Sequence, residues 1–228
     1  MKISVNVQLL NALVYYRIKK DWVRIMRQGL FITFEGVDGC GKTTQIKLLD
    51  EYLRNLGCET LLTREPGAKG LGEKLREILL NYDGNVSSKC ESFLFLADRA
   101  QHVDCIIKPA LEKGIFVLCD RHTDSTIAYQ GYGRGVDIEE LKNLNNLATG
   151  ELKPDLTIVF DVDIETSAKR VGKEKDRMES AGIEFFERVR KGFLEIAKQE
   201  PERVKVIDST QSIESIHEKV LELVNGLK

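Results

Sequence analysis

A chain of 228 residues is long enough to bury a full hydrophobic core as one domain. With 31% charged residues and a formal net charge of −2 it carries no global basic field of the kind that holds nucleic acid, so an anionic ligand has to be gripped locally. Five cysteines (Cys40, Cys58, Cys90, Cys105, Cys119) without a C-x-x-C pair point to a reducing cytoplasm and to thiols used as small apolar residues, not to a disulfide or metal framework, and no apolar run approaches the ~20 residues that span a bilayer.

Residues 1–25 mix apolar side chains (Leu9, Leu10, Leu13, Val14) with basic ones (Arg17, Lys19, Lys20, Arg24). Asn11 breaks the apolar run and no small-residue cleavage site follows, which argues against a secretory signal. Two readings stay open, an amphipathic membrane-surface helix and an appended leader. Met26 begins a natural start, so residues 1–25 are set apart as an extension of unknown role before a domain over 26–228.

Leu30 to Phe34 is a short apolar strand, and Gly36 to Thr43 follows as GVDGCGKT, matching G-x-x-x-x-G-K-[ST]. Glycines at 36, 39 and 41 open backbone conformations closed to other residues, so that N–H groups around Val37, Asp38 and Cys40 turn inward on a polyphosphate at a helix N-terminus. Lys42 reaches the β and γ phosphates of a nucleotide, and Thr43 offers a hydroxyl to Mg²⁺. The helix that the motif requires comes next, over Thr44 to Leu56, with Ile46, Leu49, Leu53 and Leu56 at helical spacing. A glycine-rich turn that merely caps a helix is the bland alternative.

Further along, Glu59 to Thr63 reads as a second strand, with Pro66 and Gly67 turning the chain at its carboxyl end, where open α/β sheets put ligands. A helix over Gly70 to Leu80 precedes a longer one, capped by Ser87 or Ser88, that reaches Glu112. Phe93 and Phe95 on it are either plain core or the lining of a pocket with Arg99. Ile115 to Cys119 is a continuous apolar run typical of a central parallel strand, and Asp120 sits at its tip where a carboxylate behind Mg²⁺ would lie, with Arg121 placed to reach phosphate. The chain then gives a glycine-rich run over 131–135, a loop at Gly150 and Pro154, a fourth strand over Leu156 to Asp161 and a helix from Ile164. The rest comprises a charged insert over 172–179, a helix over Ile183 to Ala197, a fifth strand over Val204 to Ile207 and an amphipathic helix over Ile213 to Leu227. Strands alternating with helices mean a parallel α/β sandwich.

From Met26 onward the chain resembles the bacterial thymidylate kinases, on FITFEGVDGCGKTT, TREPG, LFLADRAQH, DRHTDSTIAYQG, PDLTIVFDV and DRMESAGIEFFERVR in that order. The resemblance implies a P-loop NTPase three-layer sandwich with a five-stranded parallel sheet, a lid over ATP, a homodimer, a cytoplasmic location and the ATP-dependent phosphorylation of dTMP to dTDP. Carried onto this sequence, it makes Arg64 and Arg121 the grips on the dTMP phosphate, Phe95 the thymine-stacking ring and Arg99 the base-contacting arginine. Thr126 and Gln130 fall close to the base, Tyr129 crowds the 2′ side of the sugar, and Asp38 contacts the 3′-hydroxyl. Lys173 and Lys175 stand where many relatives have arginine, and residues 1–25 have no family counterpart.

None of the variable positions Val37 to Cys40 is basic, so a cation for the transition state has to come from outside the loop. Arg177 in the charged insert is the first candidate, because its planar fork can bind two phosphate oxygens at once. A kinase for dCMP or dGMP and a non-catalytic ATP-binding module are the rival readings. A GTPase switch lacks an N-K-x-D motif, and Glu165 to Lys169, a string that some GTPases use beside guanine, reads better as the first turn of a helix after Asp163.

Overall fold

The computed structural model describes residues 29–171, 177–178 and 181–227. The extension 1–25 and the insert positions 172–176 and 179 lie outside these residues. Five strands, β1 (Phe31–Glu35), β2 (Thr60–Arg64), β3 (Phe116–Asp120), β4 (Leu156–Asp161) and β5 (Val204–Asp208), form one sheet in the order β2-β3-β1-β4-β5, with every pairing parallel. All five lie within one residue of the positions expected from apolar runs.

The helices are α1 (Lys42–Asn55), α2 (Leu71–Asn81), α3 (Ser88–His102), α4 (Lys108–Glu112), α5 (Thr123–Thr126), α6 (Ile138–Thr149), α7 (Ile164–Arg170), α8 (Ile183–Gln199) and α9 (Ile213–Asn225). A π-helical turn over Val103–Ile107 joins α3 to α4, which preserves the continuous rod expected from Ser87 to Glu112, and the Ser87 hydroxyl accepts from Cys90 N as its N-cap. Asp163 caps α7 by accepting from Thr166 N at 2.8 Å, so the Glu165–Lys169 string is helical.

The central strands alternate faces. Phe31, Val117 and Cys119 pack with Val103, Ile107 and Ala110 on one side. Ile32, Phe34, Phe116 and Leu118 join Ile46, Leu49 and Leu53 of α1 in the larger core. The result is three layers, as expected, with β1, β3 and β4 buried almost throughout and the edges β2 and β5 part-exposed.

Four points differ from the sequence expectation. The chain between Gly131 and Gly135 is largely not a loop: a π-helical segment over Ile127–Gly133 extends α5, and Gly133 lets it approach α8 so closely that a Cβ there would stand 2.6 Å from Phe185 Cε2. Helix α6 was not anticipated, although Asp137 caps it and Ile138, Leu141 and Leu144 carry the period. Phe93 is 58% exposed and so is not core, and Cys90 and Cys105 are exposed, so only Cys40, Cys58 and Cys119 serve as buried apolar residues.

Candidate active site

The connections from β1 and β3, neighbours in the sheet, leave in opposite directions, which opens a crevice at their carboxyl ends. Gly36 to Gly41 fills it. Gly36 holds φ +130°, and a Cβ there would stand 2.6 Å from Phe160 O, so only glycine lets the loop lie against β4. Ser167 on α7 donates to Asp38 O at 2.6 Å and fixes the loop from outside. Helix α1 then starts at Gly41 with no side-chain cap and no acidic residue in its first turn, which leaves its leading N–H groups and positive dipole end for an anion. Lys42 Nζ is buried within the loop's arc, donating to Gly36 O at 3.1 Å and Val37 O at 3.0 Å.

A cleft of about 670 Å³ lies over this loop, lined by Asp38 to Gln45, Arg64, Arg76, Asp120, Arg121 and Arg170 among others, and its size suits a nucleotide. A smaller cavity of about 90 Å³ adjoins it, sharing Asp38, Glu65, Arg76 and Arg121, and continues to Phe95, Arg99, Ser125, Thr126, Tyr129, Gln130 and Met178. The structure therefore gathers every base-side residue expected from the sequence into one cavity. Arg64 lines only the larger cleft.

Arg121 stands where the two meet. It holds the left-handed φ of +72°, and its guanidinium donates to Gly36 O at 2.8 Å and Asp38 Oδ1 at 2.7 Å while lying 5.0 Å from the centre of the Tyr129 ring. Burial alone would raise the Asp38 pKa, but the charges of Arg121 and Lys42 and the hydrogen bond from Arg121 outweigh it and bring it down to about 2.

Arg99 is 1% exposed and is fully engaged by the protein. Nε donates to Glu65 Oε2, NH2 to His122 O, and NH1 to both Thr126 Oγ1 and Asn145 Oδ1, and NH2 also lies 2.8 Å from Glu65 Oε2 as an ion pair. It forms a fixed cationic wall of the cavity, and a direct bond to a base carbonyl would cost it one of these partners. Glu65 also accepts at Oε1 from Nδ1 of both His102 and His122 at 2.9 Å, and Thr63 Oγ1 shares a hydrogen bond with His102 Nε2 at 2.7 Å. Burial pushes the Glu65 pKa up, yet Arg99 holds it well below the usual carboxylate range.

Arg177, expected on the transferring phosphate, is found elsewhere. It donates from NH1 to Glu91 Oε2 at 2.7 Å and from Nε to Leu79 O at 2.8 Å, and Glu91 in turn accepts from Gln130 Nε2 at 3.0 Å. A buried carboxylate that faces Arg134, Arg177 and Gln130 draws the fork to the base side. Among the described residues the cations on the larger cleft are Lys42, Arg64, Arg76, Arg121 and Arg170.

Asp120 Oδ1 is buried without a hydrogen-bond partner, and Asp120 and Thr43 line the same wall of the cleft. An orphaned carboxylate oxygen beside a hydroxyl suits a hard divalent cation. No group of three or more His, Cys, Asp or Glu suited to holding a metal occurs among the described residues.

A phosphate-cradling loop joined through Arg76 and Arg121 to a cavity that carries Phe95, Thr126 and Gln130 is the arrangement of a monophosphate kinase. The thymidylate kinase family model matches residues 34–220. The chain belongs to the thymidylate kinase family. The thymidylate kinase of Desulfovibrio desulfuricans is 49% identical over 197 residues, 82% of this chain and 91% of that one. That of Pelotomaculum thermopropionicum is 50% identical over 198 residues, 85% and 92% of the two chains. The crystal structure of thymidylate kinase from Ehrlichia chaffeensis superposes with a TM-score of 0.70 at 41% identity, covering 86% of this chain and 98% of that one.

Sequence reasoning missed Arg76, which lines both cavities and donates to Pro66 O at 2.8 Å, and Arg170, which donates to Gly39 O at 3.4 Å and Ser209 O at 3.2 Å. It also missed Asp98, whose carboxylate accepts from Gly67 N, and whose pKa burial and the Glu65 charge lift to about 6. The charged faces of α2 and α7 gave no motif, although Asp98 stands next to a residue that did.

Proposed function

We propose that the site performs the ATP-dependent phosphorylation of dTMP to dTDP with the ATP phosphates along Gly36 to Thr43 and dTMP in the smaller cavity. The observation that carries this reading is Arg121, which lines both cavities and is fixed to the loop by Gly36 O and Asp38. A phosphate gripped there would face the end of a triphosphate held over Lys42.

The acceptor phosphate has a second pKa near 6 and is already largely dianionic at neutral pH, so no general base is required. Catalysis is then positioning and electrostatics. Arg121, with Arg64 and Arg76, orients the attacking oxygen. Lys42 and Arg170 supply positive charge around the transferring group, with Arg177 held at Glu91 on the base side. Phe95 stacks on the thymine, Thr126 and Gln130 offer hydrogen bonds to its edge, Tyr129 closes the 2′ side of the sugar, and Asp38 accepts from the 3′-hydroxyl. Mg²⁺, held by Thr43 with Asp120 behind it, would neutralise charge on the ATP oxygens.

The reading includes a homodimer in the cytoplasm. Ile78 on α2, Phe93 on α3 and Leu147 on α6 are exposed apolar side chains on helices that pack in series, α2 on α3 and α3 on α6, and a second copy would cover them. No described helix is long and apolar enough to cross a membrane. The kinase domain of this reading runs over 26–228, with 1–25 an extension of unknown role.

Lys42→Ala tests the assignment of the loop. Turnover should fall by at least about 100-fold with the thermal midpoint little changed, since a P-loop lysine acts on the phosphates. Near-normal turnover would show that GVDGCGKT is not the catalytic loop.

A further inference from the structure

Glu35 closes β1 immediately before the phosphate loop and is 0% exposed, a fully buried carboxylate. Neither the loop motif nor the base cavity needs it. Its two oxygens nonetheless hold the segment that follows β3: Oε1 accepts from His122 N at 2.7 Å and Oε2 from Ser125 Oγ at 2.5 Å. Immediately before the first anchor stands Arg121, a non-glycine residue at φ +72°. Arg121 NH1 reaches Ser125 Oγ at 3.3 Å, a hydroxyl whose hydrogen is already directed at Glu35 and whose lone pair therefore faces the guanidinium.

We propose that Glu35 is a positioning residue for phosphoryl transfer, holding Arg121 at the junction of the two cavities through His122 N–H and the Ser125 hydroxyl. This rests on the reading of Arg121 as the grip on the acceptor phosphate.

The surroundings show that the fold does not gain by keeping a carboxylate there. Burial first, and the Asp124 charge second, lift the Glu35 pKa to about 7 against the Ser125 hydrogen bond, the Arg121 charge and the His122 N–H. Cys119 and Asp120 on β3 face the same region, and Asp124 is itself paired with Arg203. An acid whose folded pKa lies above its unfolded value destabilises the fold as pH rises through the interval between them, here from about 4.5 to about 7.

The test uses the full chain. kcat and KM are measured for dTMP and ATP in Glu35→Ala, Glu35→Gln, Arg121→Ala and the double alanine variant, with thermal melts at pH 8. Glu35→Ala should lower kcat/KM for dTMP by at least about 30-fold with the KM for ATP changed less than about threefold. Glu35→Gln keeps an oxygen for His122 N–H, so it should recover to within about fivefold of wild type and melt no lower. In the Arg121→Ala background the further loss from Glu35→Ala should be under about threefold, because residues acting as a unit are not additive. If Glu35→Ala does not fold, Ser125→Ala takes its place, with an expected loss of about fivefold in kcat/KM for dTMP. Wild-type kcat/KM in Glu35→Ala (or in Ser125→Ala as its substitute), or the same fold-loss with and without Arg121, overturns the inference alone when Arg121→Ala is impaired. Wild-type kinetics in Arg121→Ala overturns the reading of the grip, and the inference with it.

Discussion

Replacing Arg99 with methionine removes the charge and five donors while keeping a side chain of similar length. Glu65 would be left 3% exposed with only the two imidazole N–H groups, and Asn145 Oδ1 and His122 O would lose the donor that Arg99 gives them. Breaking a buried ion pair from one side costs about 3–5 kcal/mol. For a chain of this size each kcal/mol moves the thermal midpoint by roughly 2–4 °C, so the midpoint should fall by about 6–20 °C. The pH dependence has a definite sign. In the wild type the depressed Glu65 pKa contributes stability that is present above the unfolded value of about 4.5 and lost as pH falls toward the folded value. Without Arg99 only the two imidazole N–H groups oppose burial, the Glu65 pKa rises, and the penalty is full at pH 8 but shrinks toward pH 5 as Glu65 takes up a proton. Adding Glu65→Gln should restore most of the loss, because the second charge is removed as well. Urea titrations of the three proteins at pH 8 and pH 5 measure this. A loss below about 1 kcal/mol in Arg99→Met, or an equal loss in the double variant, would refute the account of Arg99 as the partner that makes Glu65 tolerable.

Phe95→Ala should weaken dTMP binding by roughly 1–3 kcal/mol if the ring stacks on the base, and calorimetry of the folded variant that finds wild-type affinity would remove Phe95 from the cavity's function. Arg170→Ala should lower kcat by at least about tenfold, ~1.4 kcal/mol of barrier, whereas Arg177→Ala should act on the KM for dTMP through Glu91 and Gln130. A kcat loss confined to Arg177→Ala would instead return that residue to the transferring phosphate. A chain beginning at Met26 should match the full chain in turnover and melting temperature, and loss of either would make residues 1–25 part of the working protein.

The sheet was legible because each strand is a short apolar run beside a turn residue, as with Ile115 to Cys119 between Gly114 and Asp120. The phosphate loop was legible for a related reason: backbone geometry there dictates residue type, and Gly36 has no alternative against Phe160 O. The π-helical segment was missed because its glycines give no apolar period, whereas Gly131 and Gly133 serve close packing against Ile138 and Phe185, and helix α6 was passed over between that run and the loop at Gly150. The base cavity was recognised by resemblance, not from spacing, since Phe95, Arg99 and Gln130 come from two segments that only the tertiary fold brings together. The same limit explains Arg177. Its charge suggested a phosphate, but its partner Glu91 lies 86 positions away, and nothing local announces that a carboxylate will be buried there.

The central claim is that one arginine-linked pair of cavities joins ATP to dTMP, and its most direct test is ADP release by the purified full chain with Mg²⁺, ATP and each nucleoside monophosphate in turn. The account predicts rapid turnover with dTMP and detectable but weaker turnover with dUMP, since one methyl in an apolar pocket is worth only about 10 to 200-fold. Purine monophosphates or dCMP accepted as well as dTMP would contradict it.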